Sequence, residues 1–288
     1  MRTRKVLITG ADGFLGKEVI LQLKKNKIPF VACSHKNKRG FKQIDITKKI
    51  LLKGNFKAVI HLAAKNYATI PEQYYMTNTD GTKNILDFCV QNQIKQIIYS
   101  SSCSVYGKIL NGTITELSKP TEKSDYGKSK ALAETEIEKY GQTKGIQYTI
   151  FRFPIILGKT QKENRLTKVV QEYVTTQKPI FEKNSSFALT YVKDCAKLIV
   201  QSLDKQTSGT YNAVAYVTSI KEIFNILNEI TGKAKPAEFK ENSKSSLVIS
   251  CVKAKKQLNF SPITLKEAIK KTFSKSNLCK STTQVKPN

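Results

Sequence analysis

The chain has 288 residues, 40% of them hydrophobic and 25% charged, enough for one large or two modest domains with a sizeable core. No apolar run approaches a membrane span, and six cysteines scattered without a Cys-x-x-Cys indicate neither a disulfide framework nor a zinc site. Lys and Arg number 49 against 22 Asp and Glu, a net charge of +27 that attracts anions; the lysines are dispersed with no aromatic-interleaved stripe, so an anionic small molecule is expected rather than nucleic acid.

The N-terminus, Met-Arg-Thr-Arg-Lys5, carries no signal-peptide core, and a cytoplasmic protein is expected. Lys5-Val-Leu-Ile-Thr9 reads as a strand, and Glu18 to Lys24 has helical apolar spacing. Between them lies Thr9-Gly-Ala-Asp-Gly-Phe-Leu-Gly16, a glycine turn in the strand-to-helix setting of a dinucleotide site. Gly10 suits the tight turn, Gly13 the approach of a pyrophosphate, and Gly16 close packing of helix on sheet, with the helix N-terminus facing the phosphates. Phe30-Val-Ala-Cys33 is the second strand. It is followed by Ser34-His-Lys-Asn-Lys-Arg39, where an NAD site ordinarily has a carboxylate for the ribose. Three cations there suit a 2′-phosphate, so NADP(H) is the preferred cofactor and NAD(H) the second choice; a basic surface turn in a basic protein is the alternative.

Phe41 to Ile46 reads as a third strand, whose Asp45 is placed to reach the adenine. Ala58 to Ala63 is a buried strand in which His61, lacking a partner His or Cys, reads as a satisfied core residue rather than a ligand. A helix is expected over 79–92, a strand over Gln96 to Ser100, a helix over 125–140 and a strand over Tyr148 to Phe153. Six strands alternating with helices imply an α/β fold with a doubly wound parallel sheet, a Rossmann arrangement. Within the second of these helices, Tyr126 and Lys130 stand four apart and face the same way. A nearby ammonium is expected to lower the phenol's pKa and make it a usable acid or base. Such a pair alone is weak, because helix surfaces carry many. Cys103 reads as a filler and Tyr106 as packing; Asp194 reads as a helix N-cap.

Taken in order, Thr9 to Gly16, His61-Leu-Ala-Ala64, Asn78-Thr-Asp-Gly-Thr82, Ser100-Ser-Ser-Cys-Ser-Val-Tyr-Gly107, Tyr126-Gly-Lys-Ser-Lys130, Phe151-Arg-Phe-Pro154, Leu189-Thr-Tyr-Val-Lys-Asp194, Gly209-Thr-Tyr-Asn212 and Gln257-Leu-Asn-Phe-Ser-Pro262 run through most of the chain. Together they resemble an extended short-chain dehydrogenase/reductase of the NAD-dependent epimerase/dehydratase type that acts on nucleotide sugars. The resemblance implies a dinucleotide-binding domain over 1–153 with a return segment near 187–215, and a smaller substrate-binding α/β domain over 154–186 and 216–288. It implies that Ser102 hydrogen-bonds the reacting oxygen, that Tyr126 moves its proton, and that Lys130 tunes the tyrosine and holds the nicotinamide ribose. Asn78 is expected to support the active-site helix and a water relay. The implied cofactor site takes in Gly10, Ala11, Asp12, Gly13, Phe14, Leu15, Gly16, Ser34, His35, Lys36, Arg39, Asp45, Ile46, Leu62, Ala63, Ala64 and Phe153 besides Tyr126 and Lys130. No metal is implied; a homodimer through helices 79–92 and 125–140 is a further candidate.

The chain departs from dehydratases of this type in lacking their acid pair, since Ser102-Cys-Ser-Val-Tyr-Gly has no carboxylate. It also lacks the arginine often found before Tyr191-Val-Lys-Asp194; Lys183 or Arg165 is a candidate replacement, while Arg152 reads as support for a strand end. The absent ribose carboxylate, the short loop between Ala64 and Asn78 and the trimmed second domain favour an NADP(H)-dependent reductase of a keto nucleotide sugar. A nucleotide-sugar 4-epimerase is the alternative. A non-catalytic NADP-binding sensor or scaffold is the alternative of another class.

Overall fold

The apolar runs read as strands are buried on both faces, and this decides the architecture. The computed structural model describes residues 4–107, 111–159, 164–176, 180–182, 186–205, 208–232, 237–240 and 246–273. In chain order these form Lys5–Thr9 (β1), Phe14–Lys25 (α1), Phe30–Ser34 (β2), Lys42–Gln43 (β3), Phe56–His61 (β4) and a short Glu72–Tyr74 (α2). The latter runs through a π turn, Tyr75–Asp80, into Gly81–Gln91 (α3). Gln96–Ser102 (β5), Asn111–Ile114 (β6), Asp125–Lys144 (α4), Gln147–Phe153 (β7) and Ile155–Leu157 (β8) follow. Then come Arg165–Thr175 (α5), Ile180–Glu182 (β9), Ser186–Tyr191 (β10), Val192–Gln201 (α6), Gly209–Asn212 (β11) and Tyr216–Ser219 (β12). The last are Ile220–Thr231 (α7), Glu238–Lys240 (β13), Ser246–Ile249 (β14), Val252–Leu258 (α8) and Leu265–Thr272 (α9).

Seven strands pair in parallel in the order β11-β7-β5-β4-β1-β2-β3. Their side chains alternate between two cores. Val6, Ile8, Ile60, Ile98 and Phe151 pack with Leu15, Val19 and Leu23 of α1 and with Cys195, Leu198 and Ile199 of α6. Leu7, Val59, Ile97, Tyr99 and Ile150 pack on the other face with Ile85, Leu86 and Phe88 of α3 and Ala133 and Ile137 of α4. A sheet covered on both faces buries every strand position, which is why the strands read as unbroken apolar runs. Beside β1 the strand order reverses, so a crevice opens at the carboxyl ends of β1 and β4. The expected doubly wound sheet is therefore present. Smaller sheets (β12-β10-β8, β13-β9 and β14-β6) are built from the segments around it.

The structure corrects several expected elements. The third strand pairs over only Lys42–Gln43. The helix expected over 79–92 begins at Gly81, entered through the π turn. A seventh strand, β11, joins β7. Asp194 is not the cap of α6, whose N-cap is Tyr191; its Oδ2 instead accepts a hydrogen bond from Ile263 N at 3.1 Å and ties the C-terminal segment to α6. Lys183 and the chain beyond Cys279 lie outside the described residues. Among the described residues no helix is long and apolar enough to cross a membrane, no cluster of His, Cys, Asp or Glu suits a metal, and Cys33, Cys89, Cys103, Cys195 and Cys251 are free thiols.

Candidate active site

Gly10 follows β1 with φ of +65°, a left-handed conformation that costs an L side chain about 1–2 kcal/mol. A Cβ there would also lie 2.6 Å from Ala63 N, in backbone that cannot yield. A Cβ on Gly16 would strike Gly10 O and the Ala11 backbone, so this glycine lets α1 close against the turn. Gly13 is the N-cap of α1, and no side chain caps that end. The positive end of α1 is thus presented to a cleft of about 820 Å³ at the carboxyl ends of the strands.

The cleft gathers most of the predicted residues: Gly10, Asp12, Gly13, Phe14, Leu15 and Gly16 from the turn, Ser34, His35 and Lys36 after β2, Asp45 and Ile46, Leu62, Ala63 and Ala64 after β4, and Ser102, Tyr126, Lys130 and Phe153. Three do not line it. Ala11 is fully buried beneath the turn, where its N–H donates to Cys33 O. Arg39 stands on an exposed turn away from the cleft. Asn78 sits behind the wall, with Thr77 in front of it. Of the other cations expected near a 2′-phosphate, Lys38 stands 3.9 Å from the Asp12 carboxylate and lies over the Phe41 ring. Asp45 accepts hydrogen bonds from Thr47 N and Oγ1, at 3.0 and 2.7 Å, which hold its carboxyl below the usual range.

Asn78 owes its position to the π turn. Its Oδ1 accepts from Lys65 N at 2.7 Å, and its Nδ2 donates to Lys65 O at 3.1 Å and to Ser129 Oγ at 3.0 Å. It thereby joins the loop after β4 to α4. His61 is a satisfied core residue. Thr9 Oγ1 lies 2.6 Å from its Nδ1 and Thr82 Oγ1 3.1 Å from its Nε2, and burial pushes its pKa down to about 3. Since Thr82 Oγ1 spends its proton on Asn78 O, the imidazole proton belongs on Nε2. Ala63 N donates to Thr9 Oγ1, so one hydrogen-bonded chain links the glycine turn to Asn78. Thr9 and Thr82 stand at the ends of two motif segments, but no role for either side chain is expected from the sequence.

Ser102 ends β5 and caps the short helical turn Cys103–Tyr106, accepting from Ser104 N at 3.1 Å. Its Oγ also donates to Ser104 Oγ at 3.1 Å, and it stands near enough to Tyr126 to favour the phenolate. The expectation that the Tyr126 phenol is lowered is overturned: burial pushes it up, and the Ser102 hydroxyl opposes this only in part. Lys130 is itself buried and pushed down to about 7. Its Nζ donates to Ser100 O at 2.6 Å and lies 4.3 Å from the centre of the Tyr99 ring. Tyr74 meets Tyr126 edge-on, ring centres 5.9 Å apart. Arg152 is buried in a pair with Glu134, as a supporting residue. The Cys103 thiol is pushed up by burial and donates to Arg152 O at 3.3 Å. Arg165 lies over Phe187. The cleft also includes Thr47, Lys65, Tyr67, Ile156 and Asn164, which the sequence reading missed; only Asn164, the N-cap of α5, carries a local signal.

The model of the NAD dependent epimerase/dehydratase family matches residues 6–215, which contain the whole glycine turn and the Ser102, Tyr126 and Lys130 positions. The chain belongs to this family. Among its relatives, a UDP-glucuronate 4-epimerase of Thermodesulfobacterium geofontis is 28% identical, with 83% of this chain and 80% of the relative covered. A GDP-6-deoxy-D-talose 4-dehydrogenase of Aggregatibacter actinomycetemcomitans is 27% identical, with 79% of this chain and 80% of the relative covered. In fold, the chain is similar to the crystal structure of a UDP-glucose 4-epimerase with UDP-glucose from Thermotoga maritima. That comparison has a TM-score of 0.81 at 21% identity and covers 96% of this chain and 99% of the other.

Proposed function

We propose that this family member is an NAD-dependent nucleotide-sugar 4-epimerase. The observation that carries this reading is that Ser102, Tyr126 and Lys130 line one cleft together with the Gly10–Gly16 turn. The cleft fits a dinucleotide: a Cβ on Gly10 would strike the chain after β4, and the uncapped N-terminus of α1 suits a pyrophosphate. When bound, nicotinamide supplies a reversible hydride acceptor. Tyr126 Oη takes the proton of the sugar hydroxyl as the carbonyl forms and returns it after the sugar has presented its other face. Ser102 Oγ orients that oxygen. Lys130, when charged, favours the phenolate that burial alone disfavours. The segments 154–186 and 216–288 supply the sugar and nucleotide contacts.

Two observations favour NAD and epimerisation over the NADP-dependent reduction expected from the sequence. The cations that suited a 2′-phosphate are reduced by geometry, with Lys38 paired to Asp12 and Arg39 away from the cleft. The UDP-glucuronate 4-epimerase relative acts on the same carbon of a nucleotide sugar. Reduction of a keto nucleotide sugar is the second reading, because Ser34, His35 and Lys36 face the cleft where a ribose-binding carboxylate is absent. A non-catalytic sensor has no use for an assembled Ser102–Tyr126 pair.

The deciding experiment identifies the dinucleotide released on denaturing the purified protein and assays UDP-glucose and UDP-glucuronate for 4-epimers. Tightly held NAD with epimer formation supports the proposal. An empty protein that oxidises NADPH with a 4-keto nucleotide sugar and forms no epimer replaces it with the second reading.

A further inference from the structure

Three charged side chains are buried together beneath the carboxyl end of β5. Lys130, Glu134 and Arg152 are 2%, 3% and 5% exposed, two cations for one carboxylate. Arg152 holds Glu134 through Nη2, 2.6 Å from Oε2, and through Nε, 3.1 Å from both oxygens. Glu134 Oε1 also accepts from Ser101 Oγ at 2.5 Å. The one carboxylate therefore binds the residue beside Ser102 on β5 and the residue beside Phe153 on β7. Both neighbours line the cleft.

Lys130 lies one turn before Glu134 on the same face of α4. Its direct contacts are neutral: the Ser100 carbonyl and the Tyr99 ring. The titratable groups around it are Tyr126 and Glu134 on its own helix, Tyr99 on β5 and His61 on β4. Burial raises both phenols and keeps His61 neutral, so the anion among these is Glu134, in its ion pair with Arg152. We propose that Glu134 is a positioning residue for the reaction, supplying the counter-charge that favours the ammonium form of Lys130 while pinning, through Ser101, the strand end that presents Ser102. The proposal rests on the reading that Lys130 acts as a cation beside Tyr126. A carboxylate that only tied α4 to the strands would leave the ionisation of Lys130 alone.

The test uses the full chain with lysine labelled by ¹³C at the ε-carbon, Lys130→Met identifying the resonance. In Glu134→Gln, Lys130 is expected to titrate about one pH unit or more below its wild-type position, a shift worth about tenfold in its ionisation constant. The alkaline limb of kcat for the nucleotide sugar should move with it, while KM changes less than about threefold. Glu134→Asp, which keeps the charge, should titrate nearer the wild type than Glu134→Gln. A folded Glu134→Gln whose Lys130 titrates where the wild type does, with kcat lowered equally at every pH, overturns the proposal. Should that variant fail to fold because Arg152 is stranded, Glu134→Gln with Arg152→Met leaves no unpaired charge of that pair. Of the two groups the carboxylate is the one that acts on Lys130, so the same downward move is expected and its absence is equally decisive. If the wild type turns over no nucleotide sugar, the functional reading fails, and the titration still judges Glu134.

Discussion

Ser102, at the end of β5, and Tyr126, in the first turn of α4, line the same cleft, with the serine hydroxyl placed to favour the phenolate. The two residues come from different elements and are brought together because β5 ends, and α4 begins, at the same rim of the sheet. Positioned proton transfer contributes about 10²–10⁴ in rate, so Tyr126→Phe should lower kcat by that range. Dinucleotide affinity should stay within about twofold, because the ring and its edge contact with Tyr74 survive. Ser102→Ala should also lower kcat, by less. Unchanged turnover in Tyr126→Phe would remove this residue from the chemistry.

Gly10 and Gly145 share a left-handed φ, +65° and +66°, yet differ in the space around them. A Cβ at Gly145, the C-cap of α4, meets nothing within 4 Å, whereas one at Gly10 meets the backbone of Ala63 at 2.6 Å. Gly145→Ala should therefore cost only the conformational term, about 1–2 kcal/mol, and leave dinucleotide binding intact. Gly10→Ala should cost more and abolish that binding, because the turn itself must move. Thermal melts with and without dinucleotide separate the two; equal effects at both sites would deny Gly10 its special role.

The main sheet was legible because strands buried on both faces leave unbroken apolar runs, as in Val6-Leu-Ile8 and Val59-Ile60. β11 was not read as a strand because Gly-Thr-Tyr-Asn contains one large apolar residue and takes its place by pairing with β7. The third strand was over-read for the opposite reason: Ile44 and Ile46 alternate well, but only Lys42–Gln43 find a partner. At the site, residue types and spacing pointed to Ser102, Tyr126 and Lys130. Their ionisation did not follow, because burial, not proximity, dominates both Tyr126 and Lys130. The partnership of Glu134 with Arg152 spans 18 residues and two elements, and no local pattern announces it.

Asp12 and Lys38 give the cofactor preference a test. Their charges are 3.9 Å apart, with side chains 18% and 48% exposed, so the pair is worth at most about 1 kcal/mol. Asp12→Asn frees Lys38 for a 2′-phosphate and should improve NADPH relative to NADH by up to about fivefold at low salt. The gain should fade at high ionic strength, as exposed electrostatics do. Lys38→Ala in the Asp12→Asn background should reverse it. Binding ratios measured by fluorescence titration decide the point, and a ratio indifferent to both substitutions separates this pair from cofactor choice.

Lys130 links the site to stability. Its pKa falls from 10.5 in the unfolded chain to about 7 in the native state because burial penalises the ammonium. Between those values the unfolded chain binds a proton that the native protein does not, so unfolding free energy rises with pH across that window. Below it both states carry the charge, and the native state bears the full cost of burying it. Lys130→Met keeps most of the packed stem and removes the titration. The melting temperature of the wild type should therefore gain on that of Lys130→Met as pH rises from about 6.5 to about 9. A difference that stays flat over this range would mean that Lys130 remains charged throughout, held so by its Ser100 carbonyl, the Tyr99 ring and Glu134.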